Sequence, residues 1–432
     1  YKDSGVKWLG EIPGHWEVLP LKYIFKLQKK LVGRNSNKYK LLSLTLQGIK
    51  VRDLENPTGK FPSSFDSYQI VEPGDFIFCN FDNEETPRAV GQSKFKGMIT
   101  GAYDVFGVNN NNMDSNYLLY YCLYIDDAKR FKPLYKGLRK TIPFDSFMSY
   151  KIAIPPKAEQ TAIANYLDSV TSKIDEAISQ QQKMIDLLNE RKQIIINNAV
   201  TKGLNPDAPM KDSGVDWIGE IPKHWICCSF RNIIDVLTDY TANGSFGDLA
   251  KNVNYQSEGY ARLIRLTDLR ENLENENGVW VDKHGYEYLS KSTLYGGELL
   301  MANVGAYSGL PCIMPKVDYL TTLAPNMFLI KQDVSKADTS YLFYLLSSYD
   351  YFNWLQTIAL ASAQPKLNKE NIRSLQILLP PRVEQEQIVR HIQDKIKPLE
   401  LAISVAKQQI SLLQERKQII INDVVTGKVK VS

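Results

Sequence analysis

A run of basic residues near the start of the chain is the first feature that could bind a ligand. Between Val18 and Arg52 there are nine Lys/Arg and no Asp/Glu. Clustered positive side chains attract polyanions such as the phosphate backbone of a nucleic acid. The candidate phosphate-binding residues of this run are Lys29, Lys30, Arg34, Lys38, Lys50 and Arg52. A solvated basic face without a ligand is the alternative interpretation.

A later segment has the opposite charge balance. Residues 17–151 hold 20 Lys/Arg and 14 Asp/Glu, a net charge of +6, whereas residues 226–376 hold 13 and 16, a net of −3. Bulk charge therefore cannot attract a polyanion to the later segment, and its basic contacts must be local. The first candidates there are Arg262, Arg265 and Arg270. If they lie on a strand, Arg262 and Arg265 face opposite sides, so we expect only one of these two to contact a base.

Motifs for catalysis are missing from the sequence. The chain has no N-P-P-[YF] or D-P-P-Y motif of amino-methyltransferases and no G-x-x-x-x-G-K-[ST] phosphate loop. The tripeptide Glu190-Arg191-Lys192 matches only a fragment of a nuclease signature. The five cysteines and four histidines lack metal-ligand spacing, and no apolar stretch is long enough to cross a membrane. We expect a cytoplasmic, non-catalytic protein without its own metal or cofactor.

A long internal repeat organises these residues. KDSGVKWLGEIPGHW (residues 2–16) returns as KDSGVDWIGEIPKHW (residues 211–225), and LLNERKQIIINNAVT (187–201) returns as LLQERKQIIINDVVT (412–426), each with 12 of 15 positions identical. We call residues 2–16 and 211–225 the leading segments. The sequences between the repeated blocks diverge. This alternation favours a repeated scaffold that carries two different recognition regions. The alternative is a plain gene duplication, but its drift would spread changes evenly along both halves.

The block at the end of each half is predicted to be a helix. Mostly apolar residues recur at spacings of four and three from Ile163 to Ile195 and again from Ile388 to Ile420. The mean period of 3.5 residues is typical of a coiled-coil seam. Such a seam needs a partner, and the obvious partner is the other copy. An isolated amphipathic surface helix is the alternative.

Each of these helices is expected to be interrupted. Pro398 would remove a hydrogen bond inside a helix and clash with the preceding turn. It aligns with Lys173, and Ser172–Asp175 has capping-box spacing. We therefore expect breaks near residues 169–172 and 394–397, each followed by a long helix.

The inserts between the repeated blocks are predicted to be mostly β. Short Val/Ile/Phe/Tyr runs are punctuated by glycine, proline and asparagine, and each insert ends in a probable helix, near Ser115–Phe131 and Ser340–Thr357. The predicted domain boundaries are 1–156, a first β-rich domain; 157–204, a first helix region; 205–381, a second β-rich domain; and 382–432, a second helix region.

Taken in order, the motifs resemble the DNA-specificity subunit of type I restriction–modification enzymes. Each half has the D-S-G-V-x-W-[LI]-G-E-I-P-x-H-W segment, a G-[DE]-[FL]-[IL] strand, a P-P-x-x-E-Q helix start and an E-R-K-Q-I-I-I-N helix end. The resemblance implies an α+β fold. In it, two mixed, β-rich target-recognition domains are separated by a pair of long antiparallel coiled-coil helices with pseudo-twofold symmetry.

The resemblance also implies partners and further site residues. The partners would be double-stranded DNA, two methylation subunits and two restriction (translocase–nuclease) subunits, and these subunits would carry S-adenosylmethionine and ATP/Mg. Further candidate DNA-binding residues are Arg88, Lys94, Lys96, Arg139, Lys140, Gln364 and Lys366. Two rival functions remain open, a DNA-binding adaptor or regulator of another system and a coiled-coil scaffold that joins proteins.

Overall fold

A computed structural model describes residues 1–53, 64–82, 86–361 and 365–431 of the chain. The chain divides into two compact units. The first unit comprises Tyr1–Gln182 and Lys407–Ser432, and the second comprises Lys183–Ala406. Each unit therefore combines one insert with part of each long helix, rather than ending where the helices begin.

The helices occur at the ends of the inserts, in short connections and in the two repeated blocks. They are α1 (Ser115–Asp127), α2 (Phe144–Met148), α3 (Lys157–Lys202), α4 (Phe246–Asn252), α5 (Leu266–Arg270), α6 (Lys283–Tyr288), α7 (Thr339–Ser347), α8 (Tyr349–Leu360), α9 (Lys369–Ser374) and α10 (Arg382–Val425). The helix predicted near Ser115–Phe131 is α1. The one predicted near Ser340–Thr357 is divided into α7 and α8, because Ser348 between them has an extended backbone.

The β-structure of the first unit forms two small four-stranded sheets beside short two-stranded pairs. The strands are β1 (Lys2–Asp3), β2 (Glu11–Ile12), β3 (Glu17–Pro20), β4 (Phe25–Leu27), β5 (Lys40–Thr45), β6 (Gly48–Val51), β7 (Gln69–Val71), β8 (Phe76–Phe78), β9 (Val90–Gln92), β10 (Gly97–Ile99), β11 (Asp104–Val108) and β12 (Lys151–Ile154). The two sheets have the orders β6-β5-β10-β7 and β4-β11-β8-β9, and β3 pairs with β12.

The second unit repeats the second of these sheets and enlarges the other. Its strands are β13 (Met210–Asp212), β14 (Glu220–Pro222), β15 (Ile226–Ser229), β16 (Ile234–Asp239), β17 (Tyr255–Gln256), β18 (Ala261–Ile264), β19 (Val279–Val281), β20 (Thr293–Leu294), β21 (Leu299–Ala302), β22 (Pro311–Ile313), β23 (Thr321–Leu323), β24 (Met327–Gln332) and β25 (Gln376–Leu379). The sheet β16-β24-β21-β22 has the connectivity of β4-β11-β8-β9, and a five-stranded sheet has the order β17-β19-β18-β23-β20.

The predicted breaks in the long helices are wrong, since α3 and α10 each run without interruption. Pro398 lies inside α10 on its exposed side. An interior proline costs about 3 kcal/mol. The buried side chains of Ile392, Ile396 and Ile403 flank it, and each stabilises the helix by roughly 2 kcal/mol. Their burial outweighs the lost hydrogen bond, so the helix continues.

The pairing of the two long helices is confirmed, but the period of the buried stripe is not 3.5. The stripe of non-exposed residues on α3 repeats ten times over the 36 residues from Ile163 to Ala199. The stripe on α10 likewise repeats ten times over the 36 residues from Ile388 to Val424. The period is therefore 3.6, that of a straight α-helix. As a result Ile185 is buried, whereas Met184, where a strict 3.5-residue period counted from Ile163 places a seam residue, is exposed.

Within each unit the parts of α3 and α10 run antiparallel. In the first unit Ile163 and Leu167 share a core with Ile421 and Val425, and further along Asp175 pairs with Lys417 at 2.7 Å. In the second unit Ile196 and Val200 share a core with Ile388 and Ile392, and Lys192 pairs with Glu400. The two ion pairs occupy repeat-equivalent positions, since Asp175 matches Glu400 and Lys192 matches Lys417 at the same offset of 225 residues (400 − 175 and 417 − 192).

The repeated leading segments are held by the start of a long helix. The Trp16 indole donates to Glu159 Oε1 at 3.1 Å and His15 Nε2 lies 2.7 Å from Oε2. The second unit repeats this arrangement with Trp225 and Glu384 at 3.0 Å. Both indoles are fully buried, so a buried donor is satisfied in each case. This contact explains why the tryptophan and the P-P-x-x-E-Q glutamate recur together.

The glutamine that follows each of these glutamates ties the helix to its insert. Gln160 accepts from the Asp114 N–H at 2.8 Å, and Gln385 accepts from the Asp338 N–H at 2.9 Å. Asp114 and Asp338 in turn cap α1 and α7. The repeated motif therefore fixes the insert to the long helix in the same way in both units, whatever sequence the insert carries.

Candidate nucleic-acid interface

A cleft of about 440 Å³ lies at one end of the β4-β11-β8-β9 sheet in the first unit. Lys29 follows β4, Asn80 follows β8, and Asp104 begins β11. The segment Thr141–Phe144 closes the cleft, and the Ile142 N–H donates to the Asn80 carbonyl at 2.8 Å. The Asn80 amide donates to Asp104 Oδ2 at 2.8 Å. The cleft thus places Lys29 and an amide–carboxylate hydrogen bond among apolar side chains.

The second unit has a cleft of about 300 Å³ in the equivalent place. Asp239 ends β16, Asn303 follows β21, and the Leu367 N–H donates to the Asn303 carbonyl at 2.9 Å. The second cleft is also lined by Asn326 and Lys366. Because corresponding strands and the same main-chain hydrogen bond build both clefts, they are two versions of one site.

Most of the candidate basic residues of the first insert are exposed, and Lys29 among them lines the first cleft. Lys29 lines the cleft and Lys30 follows it. Arg34 and Lys38 are exposed on the 3-10 helix Gly33–Lys38, and Lys50 is exposed on β6. Arg52 is half-buried, with its N–H donating to the Leu41 carbonyl at 2.8 Å. The five exposed residues can meet a polyanion directly.

Arg139 and Lys140 directly precede Thr141, which lines the first cleft. Arg139 pairs with Asp82 at 2.9 Å and stacks over the Phe81 ring at 4.9 Å. Its hydrogen bond and charge interaction with Asp82 raise the pKa of Arg139. Lys140, the next residue, has a left-handed backbone with φ of 44°. The ring beside the guanidinium holds Arg139 at the cleft, where it can meet phosphate or a base.

Arg88, Lys94 and Lys96 are engaged by acidic groups to different degrees. Lys96 pairs with Glu72 at 2.8 Å, and this hydrogen bond raises the pKa of Lys96. Burial raises the pKa of Asp127, and the charge of half-buried Arg88 opposes that shift. Lys94 is exposed beside β9. Of the three, Lys94 is the one placed most openly for DNA.

The structure corrects the expectation for Arg262 and Arg265. They do not face opposite sides of one strand, because Arg265 lies beyond β18, at the N-cap position of α5. Both guanidinium groups approach the buried Asp268 carboxylate, Arg262 at 3.8 Å and Arg265 at 2.7 Å. Arg262 is only 6% exposed and donates to the Leu273 carbonyl and to Asn275 Oδ1 at 3.0 and 2.6 Å. Arg262 therefore holds a loop and is not available to DNA in this arrangement.

Asp268 is the centre of that cluster. Burial would raise the pKa of Asp268, but hydrogen bonds from Arg265 and Asn275 outweigh it, so the pKa lies below its usual value. The carboxylate is fully buried. Arg265 retains some exposure and also donates to the Asn277 carbonyl at 2.7 Å. The cluster is structural, and it supports the segment between β18 and β19.

The remaining candidates of the second insert lie at its surface. Arg270 is exposed and lies over the Tyr307 ring at 4.4 Å. Lys366 is exposed at the second cleft, where its main chain bridges to Val304. Gln364 falls outside the described residues. Two residues that sequence reasoning missed are Asn80 and Asn303, although each lies six positions after the glycine of the G-[DE]-[FL]-[IL] motif (80 − 74 and 303 − 297).

The chain is similar to proteins of known type. A family model for the type I restriction modification DNA specificity domain matches residues 95–185 and 300–410. The putative type I restriction enzyme MjaX specificity subunit of Methanocaldococcus jannaschii is 24% identical over 447 residues, which cover 100% of this chain and 98% of that protein. The chain is thus similar to type I restriction–modification specificity subunits along its whole length.

A second relative and a solved structure are also similar to the chain. The type I restriction enzyme MjaVIII specificity subunit of the same organism is 24% identical over 348 residues, 78% of this chain and 75% of that one. A chain solved to explain complex assembly and conformational transition of the type I R-M system superposes with a TM-score of 0.67 at 12% identity, covering 97% of this chain and 100% of that one. The two chains therefore share a fold. Across the described residues, no helix is long and apolar enough to span a membrane.

Proposed function

We propose that this chain is the DNA-specificity subunit of a type I restriction–modification enzyme and that each unit reads one half of a bipartite target. The observation that carries the proposal is the duplicated cleft, which has one frame and two different linings. Direct reading of bases needs donors and acceptors at fixed positions, and the side chains that supply them must differ between half-sites. Amides, a threonine and charged groups line the two clefts in different combinations.

The candidate phosphate contacts are exposed basic side chains of the two inserts, and Lys29 and Lys366 among them line the clefts. In the first unit they are Lys29, Lys30, Arg34, Lys38, Lys50, Lys94 and Arg139, and in the second Arg270 and Lys366. Contacts to phosphate fix the register of a protein on DNA, whereas contacts to base edges carry the specificity. We assign these charged side chains to the first task and the cleft floors to the second.

Exposed apolar residues on the long helices suit a partner that binds in two copies. Leu187 and Ile194 are 65% and 52% exposed on α3, and the repeat-equivalent Leu412 and Ile419 are 57% and 51% exposed on α10. Apolar side chains repeated at exposed positions favour a protein interface. We propose that these faces each bind one methylation subunit, and that two restriction subunits join the complex for cleavage.

In this assignment the chain itself has no catalytic role. The methylation subunits would supply S-adenosylmethionine and the restriction subunits ATP/Mg, consistent with a sequence that lacks the motifs for either cofactor. The purified chain alone is therefore expected neither to methylate nor to cleave DNA. Turnover by the isolated chain, free of contaminants, would contradict the proposal.

Sequencing of methylated bases in cells that express the chain with its methylation subunit tests the proposal. The expected result is one motif made of two short specific blocks around an unspecified spacer. A single undivided motif, or no motif at all, would contradict it. A transcriptional regulator would instead bind DNA without supporting methylation, and a pure scaffold would bind the subunits without binding DNA sequence-specifically.

A further inference from the structure

Each cleft has a buried amide oxygen whose hydrogen-bonding capacity is unused. Asn80 and Asn303 are 6% and 7% exposed, and in each the Oδ1 atom is shielded and has no hydrogen-bond partner among the described residues. A buried acceptor without a donor costs free energy, and most buried polar atoms in proteins are paired. Two such atoms at equivalent positions therefore call for a ligand that satisfies them.

The equivalence of the two asparagines rests on the fold around them. Each follows the third strand of its sheet, and each main-chain carbonyl accepts the N–H that closes the cleft. In the first unit the orientation of the amide is settled, because Asn80 Nδ2 donates to the Asp104 carboxylate. That contact uses the donor and leaves the oxygen as the unpaired atom. A carbonyl oxygen can only accept a hydrogen bond.

We propose that Asn80 and Asn303 are specificity-determining residues, each of which accepts a hydrogen bond from the exocyclic amino group of an adenine or cytosine. This inference rests on the proposed DNA-reading function. In the major groove the amino groups of adenine and cytosine are the donors, whereas guanine and thymine present O6 and O4 as acceptors. An unpaired oxygen therefore selects a base with an amino group and rejects one with a carbonyl at that position.

The rim of each cleft allows a base edge to approach. Lys29 borders the first cleft and Lys366 the second, and both are exposed. Long exposed side chains change rotamer readily when a protein binds its partner. Each lysine can therefore turn toward phosphate while a base edge enters the same cleft, so phosphate contact and base reading occur together.

The test is Asn303→Leu in the complex of the full chain with its methylation subunit. Leucine has a similar volume but no acceptor. The expected result is that discrimination between amino bases (A or C) and carbonyl bases (G or T) falls about ten- to a hundredfold at one position of one half-site. The other half-site should be unchanged, and Asn80→Leu should produce the same loss in that other half. Asn353→Ala, an exposed asparagine of α8, is the matched control and should leave the motif intact.

The melting temperature of the complex distinguishes a role of Asn303 in base recognition from a structural role. Since the wild-type acceptor is buried without a partner, Asn303→Leu should leave the melting temperature of the complex unchanged or raise it. A lower melting temperature with an unchanged motif would show that Asn303 is structural and would overturn the inference. If the leucine variant does not assemble, Asn303→Asp should keep the motif and Asn303→Ser should relax it. Identical motifs from those two variants would also overturn it.

The outcome for the wild-type complex separates this inference from the proposed function. Absence of any bipartite methylation by the wild-type complex contradicts the function itself. A bipartite wild-type motif that Asn303→Leu and Asn80→Leu both leave unchanged contradicts only the role of the asparagines.

Discussion

The two units share the strands and the asparagine of their clefts and differ in the charge around them. In the first unit the insert carries a net charge of +6 and Lys29 borders the cleft; in the second the net charge is −3, and Asp239 at the rim pairs with Lys369 at 3.1 Å. The strands, the asparagine and the hydrogen bond that closes the cleft are common to both. The same arrangement of strands thus holds an equivalent asparagine in two different electrostatic surroundings.

The largest expected effect comes from altering the connection between the units rather than either cleft. The units divide at Gln182 in α3 and at Ala406 in α10. Inserting four residues between Gln180 and Asp186, with a matching insertion between Val405 and Ser411, adds one turn of about 6 Å to each helix. At roughly 3.4 Å per base pair, the methylated motif should gain one or two spacer base pairs.

Both blocks of that motif should keep their bases, because neither cleft is touched. Methylated-base sequencing measures the spacer and the blocks together. An active insertion variant that retains the original spacer would break the link between helix length and half-site separation.

The next effect is on stability and should be confined to the second unit. Asp268→Asn leaves Arg262, whose side chain is 7% exposed, without its buried counter-charge. Removal of one member of a buried ion pair costs about 3 kcal/mol. Chemical denaturation should show this loss, whereas Glu287→Gln, which breaks an exposed pair with Lys283 at 3.8 Å, should show none.

The lowered pKa of Asp268 predicts how the stability of the second unit depends on pH. Because the folded pKa of Asp268 is lowered, the unfolded chain binds that proton more readily. The contribution of the carboxylate is therefore complete above the unfolded pKa and is lost as the pH falls through the folded one. Asp268→Asn should flatten stability in this acidic window. An equal acid sensitivity in the variant would show that other carboxylates cause it.

A smaller effect is expected on the affinity for DNA in the first unit. Lys29→Ala and Lys30→Ala should weaken binding to all duplexes and make the plot of log K against log salt shallower by about one for each lysine. Fluorescence anisotropy at several salt concentrations measures both quantities. Lys283→Ala, an exposed lysine of the second unit, is the control and should change neither. A change in the methylated motif after Lys29→Ala or Lys30→Ala would mean that the lysine reads a base.

The smallest effect is expected at the rim of the second cleft. Asp239→Asn removes a negative charge and releases Lys369 from its ion pair. Affinity for any duplex should rise about two- to fivefold at low salt and converge with that of the wild type at high salt. If binding weakened instead, the Asp239–Lys369 pair would be a part of the reading surface rather than an electrostatic barrier.

The repeated scaffold, made of the leading segments and the long helices, was predictable because its residues contact one another. The repeated tryptophan, histidine and glutamate form one contact in each unit, so their joint repetition marked a structural unit. The register of the helix stripe was not predictable to the residue. A period of 3.5 differs from 3.6 by a tenth of a residue per step, and over ten steps the difference becomes a whole residue.

The site was predictable only in part, because its key contacts are distant in sequence. The basic surface followed from local composition. Burial of Arg262 depends on Asp268 and Asn275, partners that a local strand pattern does not disclose. Asn80 was marked by its fixed place after a repeated strand, but only the fold brings Ile142 onto it to close a cleft.

The central claim is that each cleft reads one half-site independently, and the chain can test it with its own parts. A variant in which residues 17–151 also replace residues 226–376 would carry the first reader in both frames. Expressed with its methylation subunit, this variant should methylate a self-complementary motif built from two inverted copies of one wild-type block, as revealed by sequencing of methylated bases. An active variant that keeps the asymmetric wild-type motif would contradict the account.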